Sequence, residues 1–159
     1  MGDVTYYRRL FEYDYWANSE TLASLRTVPT GAEKPRKTFN HVIGGQRVWL
    51  ARFQNPAPPS VQPWPDLTLE ECSSAIEDLR RQWKGLLENL TAEKLAGDLV
   101  YLSLKGVENR TSIEDVLMHL ALHSAYHRGQ VAAAVREAGG KPVSTDYAVY
   151  LRKVVKSPE

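Results

Sequence analysis

Histidine is scarce in this chain, with four in 159 residues, and three of the four form one series, His119, His123 and His127. Imidazole binds divalent first-row metals and moves protons near neutral pH, so a regular series of it points to chemistry. Intervals of four stack successive histidines on one face of a helix, and such a His-x-x-x-His pair can close on one ion. Arg128, Gly129 and Gln130 follow at once. All three histidines cannot share an ion. At 1.5 Å rise per residue, His119 and His127 stand about 12 Å apart along the helix axis, too far for zinc–nitrogen bonds of about 2.0–2.1 Å. A helical wheel selects a pair: relative to the apolar stripe of Ile113, Leu117, Leu120, Val131, Val135 and Ala138, His127 lies roughly 30° off centre, His123 roughly 70° and His119 roughly 110°. His123 and His127 therefore face the interior and His119 leans outward. The competing reading is three partly exposed histidines on a long helix without an ion. His41, the fourth histidine, is either a buried structural residue or the missing third partner of the pair.

These residues need a scaffold, and the punctuation of the chain supplies one. The histidine helix is expected from about Thr111, opened by a Thr111-x-x-Glu114 capping box, to Ala138, closed by Gly139, Gly140 and Pro142. Asp3 or Thr5 caps a first helix reaching about Val28, stopped by Pro29 and Gly31, and dense in packing aromatics. Pro35 suits the first turn of a second helix to about Phe53. That helix is apolar on two stripes, Phe39/Ile43/Leu50/Phe53 and the side of His41, Val48 and Trp49, which suggests two neighbours, one of them another subunit. Gly44 and Gly45 are tolerable there mainly where something approaches the helix closely. Residues 54–67, with Pro56, Pro58, Pro59, Pro63 and Pro65, form a stiff extended connection, a lid or a strap. Trp64 within it is either a core anchor or part of a substrate pocket. Thr68-x-x-Glu71 caps a third helix to about Leu90, with Cys72 inert in its first turn. Residues 98–110, with Gly106, read as a hairpin or an extended crossover, and Ser144 to about Val155 as a short last helix. Four long amphipathic helices imply an all-α four-helix bundle in a single domain over 1–159.

Composition narrows the classes of function. A hydrophobic fraction of 43% and a charged fraction of 25% are those of an ordinary soluble domain. With 20 basic and 19 acidic residues mixed along the chain, no basic stripe offers a nucleic-acid surface. No apolar run reaches the length of a membrane span, and no signal-peptide core is visible. Met1-Gly2 is followed by Tyr6 where a myristoylation motif needs Ser or Thr. A single cysteine excludes an intrachain disulfide and fits a reducing compartment, so a cytoplasmic protein is expected.

Several motifs occur together in order: Tyr15-Trp16-Ala17-Asn18, His41-Val42-Ile43 through Trp49-Leu50-Ala51-Arg52, and the histidine run ending His127-Arg128-Gly129-Gln130. Gly139 and Asp146-Tyr147-x-x-Tyr150-Leu151 follow. Over nearly the whole chain this pattern resembles the DinB family of the DinB/YfiT-like superfamily of metalloenzymes. The resemblance implies a dimeric four-helix bundle with a three-histidine site for a divalent ion, zinc or nickel. Carried over by position, its ligands are His41, His123 and His127. One departure is plain: the family often has an acidic residue one turn after the second-helix histidine, where this chain has Gly44, Gly45 and Gln46. A carboxylate base from that position is therefore not expected. The second helix must also turn its His41 side to the site and its other stripe to a neighbour, or His41 is no ligand.

Three neutral imidazoles leave a coordination position open, as in catalytic zinc sites, where the metal acidifies a water or a thiol. Some relatives in the wider superfamily are metal-dependent transferases or isomerases that use low-molecular-weight thiols. The resemblance thus implies a thiol-dependent S-transferase first and a metal-dependent hydrolase second. Ser124, Tyr126, Arg128 and Gln130 are the candidates for a further catalytic group. Arg128 would bind an anionic substrate group or pair with a carboxylate such as Asp14 or Glu12; Gln130 would orient a ligand, and Gly129 would permit close helix packing. The non-enzymatic alternative is a stress-associated metal-binding dimer.

Overall fold

A computed structural model describes residues 3–29, 33–55, 57 and 59–155. Expectations placed on Met1-Gly2, Gly31, Pro56 and Pro58 lie outside the described residues. Four long helices carry the fold: α1 (Val4–Leu25), α2 (Glu33–Gln54), α3 (Leu69–Glu88) and α5 (Ile113–Glu137). Between the last two stand α4 (Ala92–Leu95) and a hairpin of β1 (Asp98–Leu102) and β2 (Glu108–Ser112); α6 (Tyr147–Lys153) closes the chain. The all-α bundle expected from the sequence is the fold observed.

Local chemistry sets each start. The Asp3 carboxylate accepts from Thr5 N at 2.8 Å and caps α1. Thr68 and Glu71 form the reciprocal capping box of α3, at 3.2 and 2.8 Å. For α5 the expectation was one residue early: Ser112 is the cap, accepting from Asp115 N at 3.0 Å. Thr111 is instead the last-but-one residue of β2, paired with Leu99, because the hairpin ladder claims its backbone. Gly106, at φ 77, turns that antiparallel hairpin, which replaces the crossover alternative. Gly139, at φ 81, ends α5 in the left-handed conformation expected of a C-terminal glycine. α1 stops at Leu25 rather than near Val28, α3 at Glu88, and the last helix is shorter than expected. The Thr91-capped α4 was not foreseen, since four residues carry no readable periodicity.

In the bundle, α2 neighbours α5 and α3, and α1 neighbours α3 and α5, so α1 and α2 stand diagonally. Phe39, Val42, Ile43, Leu50, Leu117, Leu120, Val131 and Val135 share one core with Leu25, Leu79, Trp83 and Leu87. Both stripes of α2 are thus used within the chain, and the second is covered by α5 and by β1. Among the described residues no helix is long and apolar enough to cross a membrane.

Candidate metal centre

The α2–α5 interface brings His41 of α2 against His123 and His127 of α5. Ring centroids lie 4.9 Å apart for His41–His123, 4.7 Å for His41–His127 and 4.5 Å for His123–His127. One ligand nitrogen from each lies within 4.8 Å of the others, and all three rings are half-buried. His119 is left out. Its ring is 5.5 Å from that of His123, but it is exposed and leans on Trp49, 5.6 Å away. The wheel therefore separated the histidines correctly. It did not show that α2 turns its His41 side to α5, which the packing now settles.

Two glycines make room for this arrangement. A methyl group at Gly45 would lie 3.0 Å from His123 Cε1, so the ring rests on bare helix backbone. A methyl group at Gly44 would lie 2.7 Å from both Pro63 C and Pro65 Cδ. The proline segment runs back along α2 and is tied there by Arg36 to Asp66 at 2.8 Å and by Asn40 Nδ2 to Leu67 O at 3.1 Å. It is a strap. Trp64 is not a core anchor: it is 58% exposed and stacks on His41 at 3.8 Å with planes 6° apart.

The strap also fixes a tautomer. His41 Nδ1 is 2.8 Å from Pro63 O, a carbonyl that can only accept, so Nδ1 carries the proton and Nε2 keeps its lone pair. His127 Nδ1 pairs likewise with Gln130 Oε1 at 2.8 Å, leaving its Nε2 as the free donor atom. His123 Nε2 faces His41 Nε2 at 3.1 Å, where it donates in the absence of an ion. Nitrogens about 2.0–2.1 Å from a tetrahedral zinc would be about 3.3 Å apart, close to the 3.1 Å between His41 Nε2 and His123 Nε2. Burial pushes the pKa of His123 down to about 4, with the neighbouring His127, His41 and His119 adding to it. Burial also lowers that of His41, opposed by the Pro63 carbonyl and aided by His127. Neutral imidazoles are what a metal requires.

The remaining candidates divide. Gln130 orients His127, as a ligand-positioning role requires. Tyr126 is exposed, its ring 5.1 Å from that of His127. Arg128, 2% exposed, is paired with Asp14 rather than Glu12, which holds Arg80 at 2.9 Å. Its guanidinium also donates to Asn18 Oδ1 at 3.0 Å and Tyr13 Oη at 3.4 Å. Gln46 joins the same buried network, donating to Asp14 and, at 3.3 Å, to Ser124 Oγ. This network pins α1, α2 and α5 together directly beneath the histidines, and it engages both Arg128 and Ser124. Gly129 faces open space, so close packing is not its reason. The cation missed by sequence reasoning is Arg52, whose guanidinium lies between the rings of Trp49 and Tyr101 at 4.4 and 4.6 Å. It has no carboxylate partner among the described residues; burial lowers its pKa, and its charge, after burial, lowers that of His119. Cys72 is buried, donates to Asn40 Oδ1 at 3.0 Å, and has its thiol pKa pushed up to about 11 by burial, which leaves it inert.

A family model described as the DinB family matches residues 1–156. Protein DinB of Bacillus subtilis (strain 168) is 24% identical over 177 aligned positions, covering 95% of this chain and 95% of that protein. No solved structure gives a significant match.

Proposed function

The chain belongs to the DinB family, and from that premise we propose that it binds one divalent ion, zinc or nickel, through His41, His123 and His127. The observation that carries this reading is the convergence of three imidazole nitrogens within 4.8 Å, two with their Nε2 lone pairs set by Pro63 and Gln130. When bound, such an ion supplies Lewis acidity and acidifies a coordinated thiol or water. No carboxylate joins the cluster among the described residues. Three neutral donors leave the ion's double charge uncompensated, which favours an anionic partner such as a thiolate and leaves hydrolysis without a carboxylate base. Thiol-dependent S-transfer is accordingly the enzymatic function we propose, with Trp64 and Tyr126 flanking the histidines and Arg52, which has no carboxylate partner among the described residues, beyond His119. A metal-dependent hydrolase ranks second. The test is turnover with a panel of low-molecular-weight thiols and electrophilic acceptors, with and without added metal. Metal-dependent thiol consumption supports the transferase. Stoichiometric metal with no turnover of any thiol or ester identifies a non-enzymatic metal-binding protein instead.

A further inference from the structure

A cavity of ≈ 380 Å³ opens between α1 and α3, and none of the histidines lines it. Its size is that of small-molecule sites, which span about 300–1,000 Å³. The buried part of its wall is mostly hydrocarbon and aromatic: Phe11, Ile76, Leu79, Trp83, Leu87 and Tyr150. A cavity so lined sheds water and accepts apolar ligands. Trp83 is 2% exposed, and its indole Nε1 is buried with no acceptor among the described residues.

The exposed rim has a charge preference. Arg8, Arg9, Arg80 and Lys84 face only Glu12 and Glu88 there. Arg80 is matched by Glu12 at 2.9 Å, whereas Lys84 approaches Glu88 only to 3.9 Å. Arg8 spends its donors on the carbonyls of Leu87 and Glu88, at 3.1 and 3.2 Å, which leaves its charge uncompensated. Arg9 touches the Tyr6 ring at 5.7 Å and has no carboxylate partner among the described residues. The acid in the floor, Asp14, is already neutralised by Arg128 and does not oppose an anion. We propose that this cavity is a second binding site, for a small amphipathic carboxylate. Its apolar body lies among Phe11, Leu79, Trp83 and Leu87 and its anionic group on the Arg8–Arg9 side.

Decanoate, decanol and decylamine share one chain length and differ in head-group charge, so their calorimetric titration below micelle-forming concentrations tests both halves of the proposal. The full-length protein should bind decanoate saturably at one site, about tenfold tighter than decanol, the gain of one charge-assisted hydrogen bond. Decylamine should bind more weakly than decanol. Combined Arg9→Glu and Lys84→Glu, both on the surface, should erase the preference for the acid, and Leu79→Trp should fill the cavity and abolish binding of acid and alcohol alike. Each titration is run on chelator-treated and on metal-loaded protein, and decanoate affinity should be the same in both. Affinity that appears only with metal places the carboxylate at the histidines and overturns the proposal. So do the absence of saturable binding, equal affinity for the three head groups, or a preference that survives the charge reversal.

Discussion

At the scale of single residues, the site depends on groups that keep imidazoles neutral and aimed. His123 carries a folded pKa of about 4 against an ordinary 6.5. Between those values the unfolded chain binds more protons at this residue than the folded one, so in metal-free protein the His123 contribution lowers stability as pH falls from about 6.5 to about 4 and is constant below. Thermal melts of chelator-treated protein should show that fall, and His123→Ala should show a smaller one; a flat profile would contradict the burial assigned to His123. Gly45 gives a second test, because a methyl there meets His123 Cε1 at 3.0 Å. Gly45→Ala should leave the helix intact, or raise its propensity, while weakening metal affinity at least about tenfold, a loss of about 1.4 kcal/mol. Unchanged affinity in a metal titration would show that the ring does not depend on that backbone surface. The His123–His127 pair was legible from the wheel. His41 was left open as structural residue or third ligand, since its own helix pattern turned it away from the Phe39/Ile43/Leu50 stripe, and the resemblance alone favoured the ligand. The carbonyl of Pro63 and the ring of Trp64 were beyond sequence reasoning, because their roles depend on the path of the strap.

At the scale of elements, α2 and α5 hold the histidines and α1 holds α2 and α5. The Asp14–Arg128 pair, with Asn18, Gln46 and Ser124, is the polar seam at that junction. Removing one partner leaves a charge buried alone, so Asp14→Ala should cost about 3–5 kcal/mol in urea unfolding. A loss below about 1 kcal/mol would show the pair to be solvent-screened like a surface pair. The helices, the glycine stop of α5 and the α3 capping box were readable because their signals are local in sequence. The one-residue shift at Thr111 was not, since strand pairing overrode an equally good capping pattern. Asp14 was among the partners that the sequence offered Arg128, and the pair is formed; that it is buried, with Ser124 beside it, depends on how α1, α2 and α5 pack and was not legible from α5 alone.

At the scale of the whole molecule, the homodimer expected from the sequence remains our proposal, but its first motive has changed. The second stripe of α2 is covered within the chain, and the motive is now exposed apolar surface elsewhere, Leu122 and Tyr126 on α5 and Trp64 on the strap. Sedimentation velocity at tens of micromolar should give a dimer, and a monomer there would contradict it.

The central claim is that one ion is held by three of the four histidines. Its most direct test is the metal-to-protein ratio of tag-free protein, purified without chelator, beside the four single His→Ala variants under matched conditions. Close to one ion per chain is expected for the parent and for His119→Ala, and loss of most metal from His41→Ala, His123→Ala and His127→Ala. Metal lost from His119→Ala but kept by His127→Ala would contradict it.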